Sequence, residues 1–165
     1  MFARPPARAA IPCDVPELVH ATLALFERSS KLRPGTSVRV ECAPNLPAAL
    51  ADPNQMRQVL WNLLTNAAEA VSGNGAIDVE AFAAEDRRSV TIRVTDDGPG
   101  IADPAAVLEP FYTTRAQGTG LGLAIVARIV RDHGGTVNVE NVAQRGARFT
   151  VSLPVAAENT AAMTA

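Results

Sequence analysis

Three groups of residues in this chain could do chemistry together. Asn62 and Asn66 stand one helical turn apart, with Gln58 one turn before them, so their side chains line one edge of a helix. Their neutral carbonyl oxygens are hard ligands of the kind Mg2+ accepts while keeping several waters. An Asn inside a helix costs roughly 0.5–0.7 kcal/mol relative to Ala, so two of them need a reason; a solvated polar face is the plain alternative. Asp96 opens a D-x-G-x-G run through Gly98 and Gly100. A carboxylate at a strand end, beside glycines that leave a flat opening, can accept a hydrogen bond from an exocyclic amine such as N6 of adenine. Gly118, Gly120 and Gly122 form G-x-G-x-G at the start of a helix, where backbone N–H groups can approach phosphate oxygens at the positive end of the helix dipole. Glycine triplets also serve turns and close packing, so each signal is ambiguous by itself. The ordered set is far more specific.

These residues need elements to hold them. Asp52 and Pro53 open a helix, with Gln55 placed to complete a capping box. Met56, Val59, Leu60, Leu63, Leu64, Ala67 and Val71 then form one apolar stripe, the kind that buries a helix against a sheet. An earlier helix is capped by Asp14 and carries Leu18, Val19, Leu23, Leu25 and Phe26 before fading at Ser29 and Ser30. A third helix opens at Gly120 and runs to a left-handed cap at Gly134, with His133 in its final turn and facing the helix dipole. Alternation predicts strands at 37–42, 76–84, 89–95, 136–140 and 147–153, and a short extended piece at 48–51. Residues 101–119 break the pattern, and so long a connection inside a compact domain is a lid or a binding segment. Residues 1–13 read as a leader or the end of a linker, 14–154 as one domain, and 155–165 as a disordered tail.

The bulk numbers exclude more than they identify. A net charge of −2 gives no electrostatic case for nucleic acid or an anionic membrane, and 4% aromatic residues cannot build a base-stacking platform. No apolar run reaches the length of a membrane span, so this segment makes no direct membrane contact and is expected in the cytoplasm, whatever anchors the parent protein. Cys13 and Cys42 lack CxxC spacing and read as reduced thiols, Cys42 packed in a strand; His20 and His133 are isolated, so no zinc-like cluster exists. The 118–123 run is not a dinucleotide fingerprint, because position 123 is Leu and the run follows a loop, and no Walker-type G-x-x-x-x-G-K occurs.

In order, NLLTNA (62–67), DDGPGI (96–101), EPFYTTR (109–115), GTGLGLAIV (118–126) and GARFTVSLP (146–154) resemble the N, G1, F, G2 and closing segments of sensor histidine kinases of the nitrogen-regulation type. The resemblance covers about 14–154 and is to their ATP-binding catalytic domain, within the superfamily of gyrase, Hsp90 and MutL. It implies an α/β (α+β) two-layer sandwich of the Bergerat type: a mixed, mostly antiparallel sheet with three helices on one face and ATP on the helix side. It assigns Asn66 to Mg2+, with Asn62 assisting at the phosphates or metal, and Asp96 to the adenine amine. Gly98, Gly100 and Ile101 would shape the base pocket, Arg115 would be the phosphate cation after Thr113 and Thr114, and Gly118, Thr119, Gly120, Leu121, Gly122 and Leu123 would cradle the phosphates. The partner it implies is a dimerisation and phosphoacceptor domain of the same kinase, with a response-regulator receiver domain reached indirectly.

The departures matter. Position 62 is Asn where the ATP-hydrolysing relatives carry Glu, and an amide is no general base at neutral pH. His20 lacks the phosphoacceptor pattern, so the chain carries no acceptor histidine. An ATPase or serine-protein kinase of the same superfamily, or an ATP-binding regulatory module, are the other expectations.

Overall fold

The computed structural model describes residues 9–109, 121–142 and 146–157. Thr113, Thr114, Arg115, Gly118, Thr119 and Gly120 therefore lie outside the described residues, as do 1–8 of the expected leader and 158–165 of the expected tail.

A five-stranded sheet forms one layer. It comprises β2 (Ser37–Cys42), β4 (Ala76–Ala83), β5 (Ser89–Asp96), β6 (Thr136–Asn141) and β7 (Ala147–Pro154), in the order β2-β4-β5-β7-β6. Only the β2–β4 pairing is parallel; β4–β5, β5–β7 and β6–β7 are antiparallel. Alternation decides the faces. Ile77, Val79, Val90, Ile92, Val94, Phe149, Val151 and Leu153 are buried on one side. Arg39, Asp78, Glu80, Arg93 and Arg148 stand on the other, where Arg39 pairs with Asp78 at 3.1 Å and Arg93 with Glu80 at 3.6 Å. The Arg39–Asp78 pair sits largely in water and adds little stability, while Arg93 and Glu80 are about two-thirds covered. The apolar side takes the helices.

Three helices cover it among the described residues: α1 (Val15–Arg28), α2 (Pro53–Ala70) and α3 (Gly122–Asp132). Helix α2 is central, packing on α1, on α3 and on β5. Its stripe of Met56, Val59, Leu60, Leu63, Leu64 and Ala67 is buried throughout. Trp61 meets Phe26 of α1 edge-on, with centroids 5.0 Å apart and planes at 79°, an arrangement worth about 0.5–1.5 kcal/mol beyond the area buried. Asp14 caps α1 through Glu17 N and Asp52 caps α2 through Asn54 N. The capping bond of α2 thus falls one residue before the expected Gln55.

Several expectations are corrected. Ile11–Cys13, expected in the leader, is a strand (β1) paired antiparallel with β3 (Ala49–Ala51). Burial of Cys13, Ala49 and Ala51 fixes that small sheet against the core, and Val155 bridges to Ala49 at its far edge. Leu25 is 57% exposed, since it falls outside the stripe set by Leu18, Thr22 and Phe26. Helix α3 begins at Gly122 rather than Gly120, and its cap at Leu121 contributes no side-chain hydrogen bond.

His133 has a packing role that its position on the helix dipole does not describe. The ring is buried, Nδ1 donates to Ile129 O at 2.7 Å, and Nε2 accepts from Asp52 N at 3.1 Å. Both ring nitrogens are used, so His133 ties the last turn of α3 to the first turn of α2.

Burial raises the pKa of both thiols, Cys13 and Cys42, and the negative charge of Asp14 raises it further. A raised folded-state pKa contributes stability that is complete below the ordinary thiol range and is lost as pH rises through the shifted value. At pH 8 both thiols should react with iodoacetamide more slowly than free cysteine, because only the thiolate attacks. Mass-spectrometric rates equal to those of the free amino acid would contradict this.

Candidate nucleotide-binding site

The last turns of α2 lie between two contacts. At one end the Asn62 amide nitrogen donates to Gly122 O at 3.1 Å, tying α2 to the first residue of α3. This turns Nδ2 toward α3 and leaves Oδ1 as the oxygen directed away from that contact. At the other end Gly98 lies against Ala70, so closely that a Cβ there would stand 2.6 Å from the Ala70 carbonyl oxygen. Between them run two helical turns, about 12 Å, with Asn66 in the middle. Asn66 is 8% exposed, more deeply set than an edge-lining residue need be.

Asp96 closes the far side. As the last residue of β5 it is 3% exposed, and its Oδ1 accepts from Gly98 N at 2.9 Å and Ala147 N at 3.4 Å. Those bonds fold the turn after the strand back on the carboxylate. Gly146 makes the approach possible: at φ +112° its backbone lies on the Asp96 peptide, and a Cβ would fall 1.8 Å from Asp96 O.

Gly100, at φ +89°, and Ile101 complete the turn. Ile101 is held by a residue the sequence reading passed over: Asn141, the last of β6. Its Oδ1 accepts from Ile101 N at 2.7 Å and its Nδ2 donates to Ile101 O at 2.8 Å. The pattern that could have found it is an Asn two positions after Val139, where the alternation of half-buried Val137 and Val139 ends in an exposed polar residue. Helix α3 supplies the remaining wall. No cap side chain competes for the first-turn N–H groups of Gly122 and Leu123, unlike the first turns of α1 and α2. That suits an anionic ligand.

Asn62, Asn66, Asp96, Gly98, Gly100, Ile101, Leu121, Gly122 and Leu123 are thus carried on one continuous set of touching elements. A buried amide (Asn66), a half-buried one (Asn62) and a buried carboxylate (Asp96) are a hard-oxygen donor set that fits Mg2+ and a purine amine. Residues 51–157 match the family model for the histidine kinase-, DNA gyrase B- and HSP90-like ATPases. The chain belongs to that family.

Within this ATPase family it is the ATP-binding catalytic domain of the histidine kinase type. It is 42% identical over 86% of its length to the sensor histidine kinase ZraS of Escherichia coli O157:H7, of which it spans 31%. It is 43% identical over 68% of its length to the sensory histidine kinase/phosphatase NtrB of Rhodobacter capsulatus, spanning 35% of that protein. The chain therefore spans about a third of the curated relatives it matches. Among solved structures, the nucleotide-free catalytic domain of the histidine kinase ThkA superposes with a TM-score of 0.78 at 30% identity, covering 88% of this chain and 95% of that one. Full-length ShkA in complex with AMPPNP gives 0.75 at 32% identity, covering 90% of this chain and 31% of that one. Three helices on a mixed, mostly antiparallel sheet are thus the family's catalytic-domain fold.

Proposed function

We propose that this domain binds ATP with Mg2+ between α2, the turn after β5 and the start of α3, and presents the γ-phosphate to a histidine on a separate domain of its parent kinase. The nucleotide-binding unit is residues 14–154, with 101–119 closing over the nucleotide. The observation that carries the reading is the pair of contacts flanking Asn66, Asn62 to Gly122 and Gly98 to Ala70, which joins the three polar groups of the site to one helix.

Asp96 receives the adenine amine, while Gly98, Gly100 and Ile101 shape the floor beneath the base. Asn66 would hold Mg2+, with Asn62 assisting; the ion's chemistry is to neutralise charge on the phosphates. Gly118 to Leu123 place backbone N–H groups along the triphosphate, and Arg115, following Thr113 and Thr114, supplies the cation. In the transfer the acceptor imidazole nitrogen forms a bond to the γ-phosphorus as the bond to the bridging oxygen breaks, and ADP leaves. The domain's contribution is positioning and electrostatics rather than proton transfer. Asn62 cannot activate water, which disfavours hydrolysis.

The acceptor is a dimerisation and phosphoacceptor domain of the same kinase, and a response-regulator receiver domain takes the phosphoryl group in turn. ThkA, solved in complex with the response regulator protein TrrA, supports that pairing. No helix among the described residues is long and apolar enough to cross a membrane, in keeping with a cytoplasmic catalytic domain.

A thermal-shift titration tests the reading. At about a hundred times Kd, MgATP stabilises by about 2.7 kcal/mol, or roughly 5–10 °C for a domain of this size. EDTA should shrink the shift. Incubation with γ-labelled ATP alone should leave the chain unlabelled. No shift with MgATP, or stoichiometric self-labelling, would overturn the assignment.

A further inference from the structure

We infer that Asn141 is a positioning residue for base recognition: its side chain holds the turn that carries Asp96 against the end of β6, and so sets the geometry at which the purine is read. The inference rests on the nucleotide reading above and extends it to a residue outside the recognised segments.

The side-chain amide of Asn141 presents one donor and one acceptor, and both go to a single residue, at 2.7 Å from Ile101 N and 2.8 Å to Ile101 O. A primary amide reproduces the donor–acceptor edge of a peptide group, so Asn141 pairs with Ile101 much as a neighbouring strand residue would. Hence the backbone of the turn is fixed through its peptide groups, while the Ile101 side chain packs, partly buried, against the core. Gly100 makes room for the clamp, since a Cβ there would stand 2.9 Å from Asn141 Oδ1.

Besides the backbone bond from Asp97 N to Ala76 O, the turn is pinned at three points. Gly98 packs on Ala70 of α2, Gly98 N and Ala147 N bond to Asp96 Oδ1, and Ile101 bonds to Asn141 of β6. The first two act at the start of the turn. Asn141 alone of the three acts at its end, where Ile101 leads into the long connection. Without it, the end of the turn keeps the packing of Ile101 on the core but loses the hydrogen bonds that fix its peptide groups. Asp96 would keep its bonds, but the floor that sets the tilt of the base against the carboxylate would lose its second support. Discrimination of one purine from another depends on that tilt, because a misaligned amine loses its hydrogen bond steeply with angle. Neither Asn141 nor Ile101 needs to contact the phosphates for this effect.

The test separates positioning from stability by reading a ratio. Displacement of a fluorescent ATP analogue would give affinities for ATP and GTP in the wild type, Asn141→Ala and Asn141→Asp. The wild type should prefer ATP. Asn141→Ala should reduce the ATP:GTP preference roughly tenfold, the worth of one good hydrogen bond. Asn141→Asp keeps the acceptor for Ile101 N but sets a carboxylate oxygen against Ile101 O, so it should reduce the preference at least as far. A loss of stability alone would lower both affinities together and leave the ratio unchanged. An unchanged ratio in Asn141→Ala would therefore overturn the inference, whether or not the melting temperature falls. A wild type that binds neither nucleotide would instead remove the nucleotide reading itself, and with it this one.

Discussion

Asp96→Asn should lower affinity for ATP and ADP together by about 10- to 100-fold while leaving the fold intact. On the proposed reading the carboxylate has two tasks, and the substitution separates them. Its Oδ1 accepts from Gly98 N and Ala147 N, and an amide oxygen of the same shape can keep both bonds. What Asn cannot reproduce is a second acceptor. The NH2 group would face the adenine amine as donor against donor, losing a charge-assisted hydrogen bond worth about 1.5–3 kcal/mol and leaving two donors in opposition. Both nucleotides carry the same base, so both suffer alike. Calorimetric titration of MgATP and MgADP, with a melting curve of the free protein, would check this. Unchanged affinity would exclude Asp96 from base recognition, and a loss confined to ATP would point to the phosphates instead.

Gly146→Ala should do more damage, and to the fold first. A Cβ at this position would lie 1.8 Å from Asp96 O and 2.9 Å from Asp96 C, both backbone atoms that cannot rotate aside, at a φ of +112°. The strand end or the hairpin must therefore shift, and overpacking plus backbone strain together come to about 3 kcal/mol or more. For a domain of this size that is roughly 6–12 °C of melting temperature. The displacement falls on the peptide of Asp96, so the surviving folded protein should also bind MgATP at least about tenfold more weakly. The combination is what distinguishes it from Asp96→Asn, which loses binding alone. A melting temperature within 2 °C of the wild type, with binding retained, would show that β5 and β7 tolerate a separation the structure does not contain.

Much of the architecture was legible because it depends on local rules. The stripe from Met56 to Val71 has only one way to be buried, so α2 and its place against the sheet follow from spacing. Asp14 and Asp52 announce the helix starts through their capping oxygens, and strict alternation predicts β2, β4, β5, β6 and β7 to within about a residue at most ends. The errors lie where a short segment is decided by what it meets. Ile11–Cys13 has too few residues to show a period; it is a strand because Ala49–Ala51 offers it an edge. Leu25 reads as apolar and therefore buried, yet the packing of Phe26 of α1 on Trp61 of α2 turns it to solvent.

The site divides the same way. Residue chemistry alone leaves Asn62, Asn66 and Asp96 ambiguous, since a solvated helix face and an ordinary turn explain them as well; their order along the chain is what singles them out. The order of the segments is a property of the chain and suffices to name the family. Distance in space is not such a property. That Asn62 bonds to Gly122, that Gly146 must be bare for Asp96 to lie beneath it, and that Asn141 and His133 fasten segments remote from them are consequences of packing. These contacts join residues forty or more positions apart, and no local preference encodes them. Only when the helices settle on the sheet do the partners come within reach of a hydrogen bond.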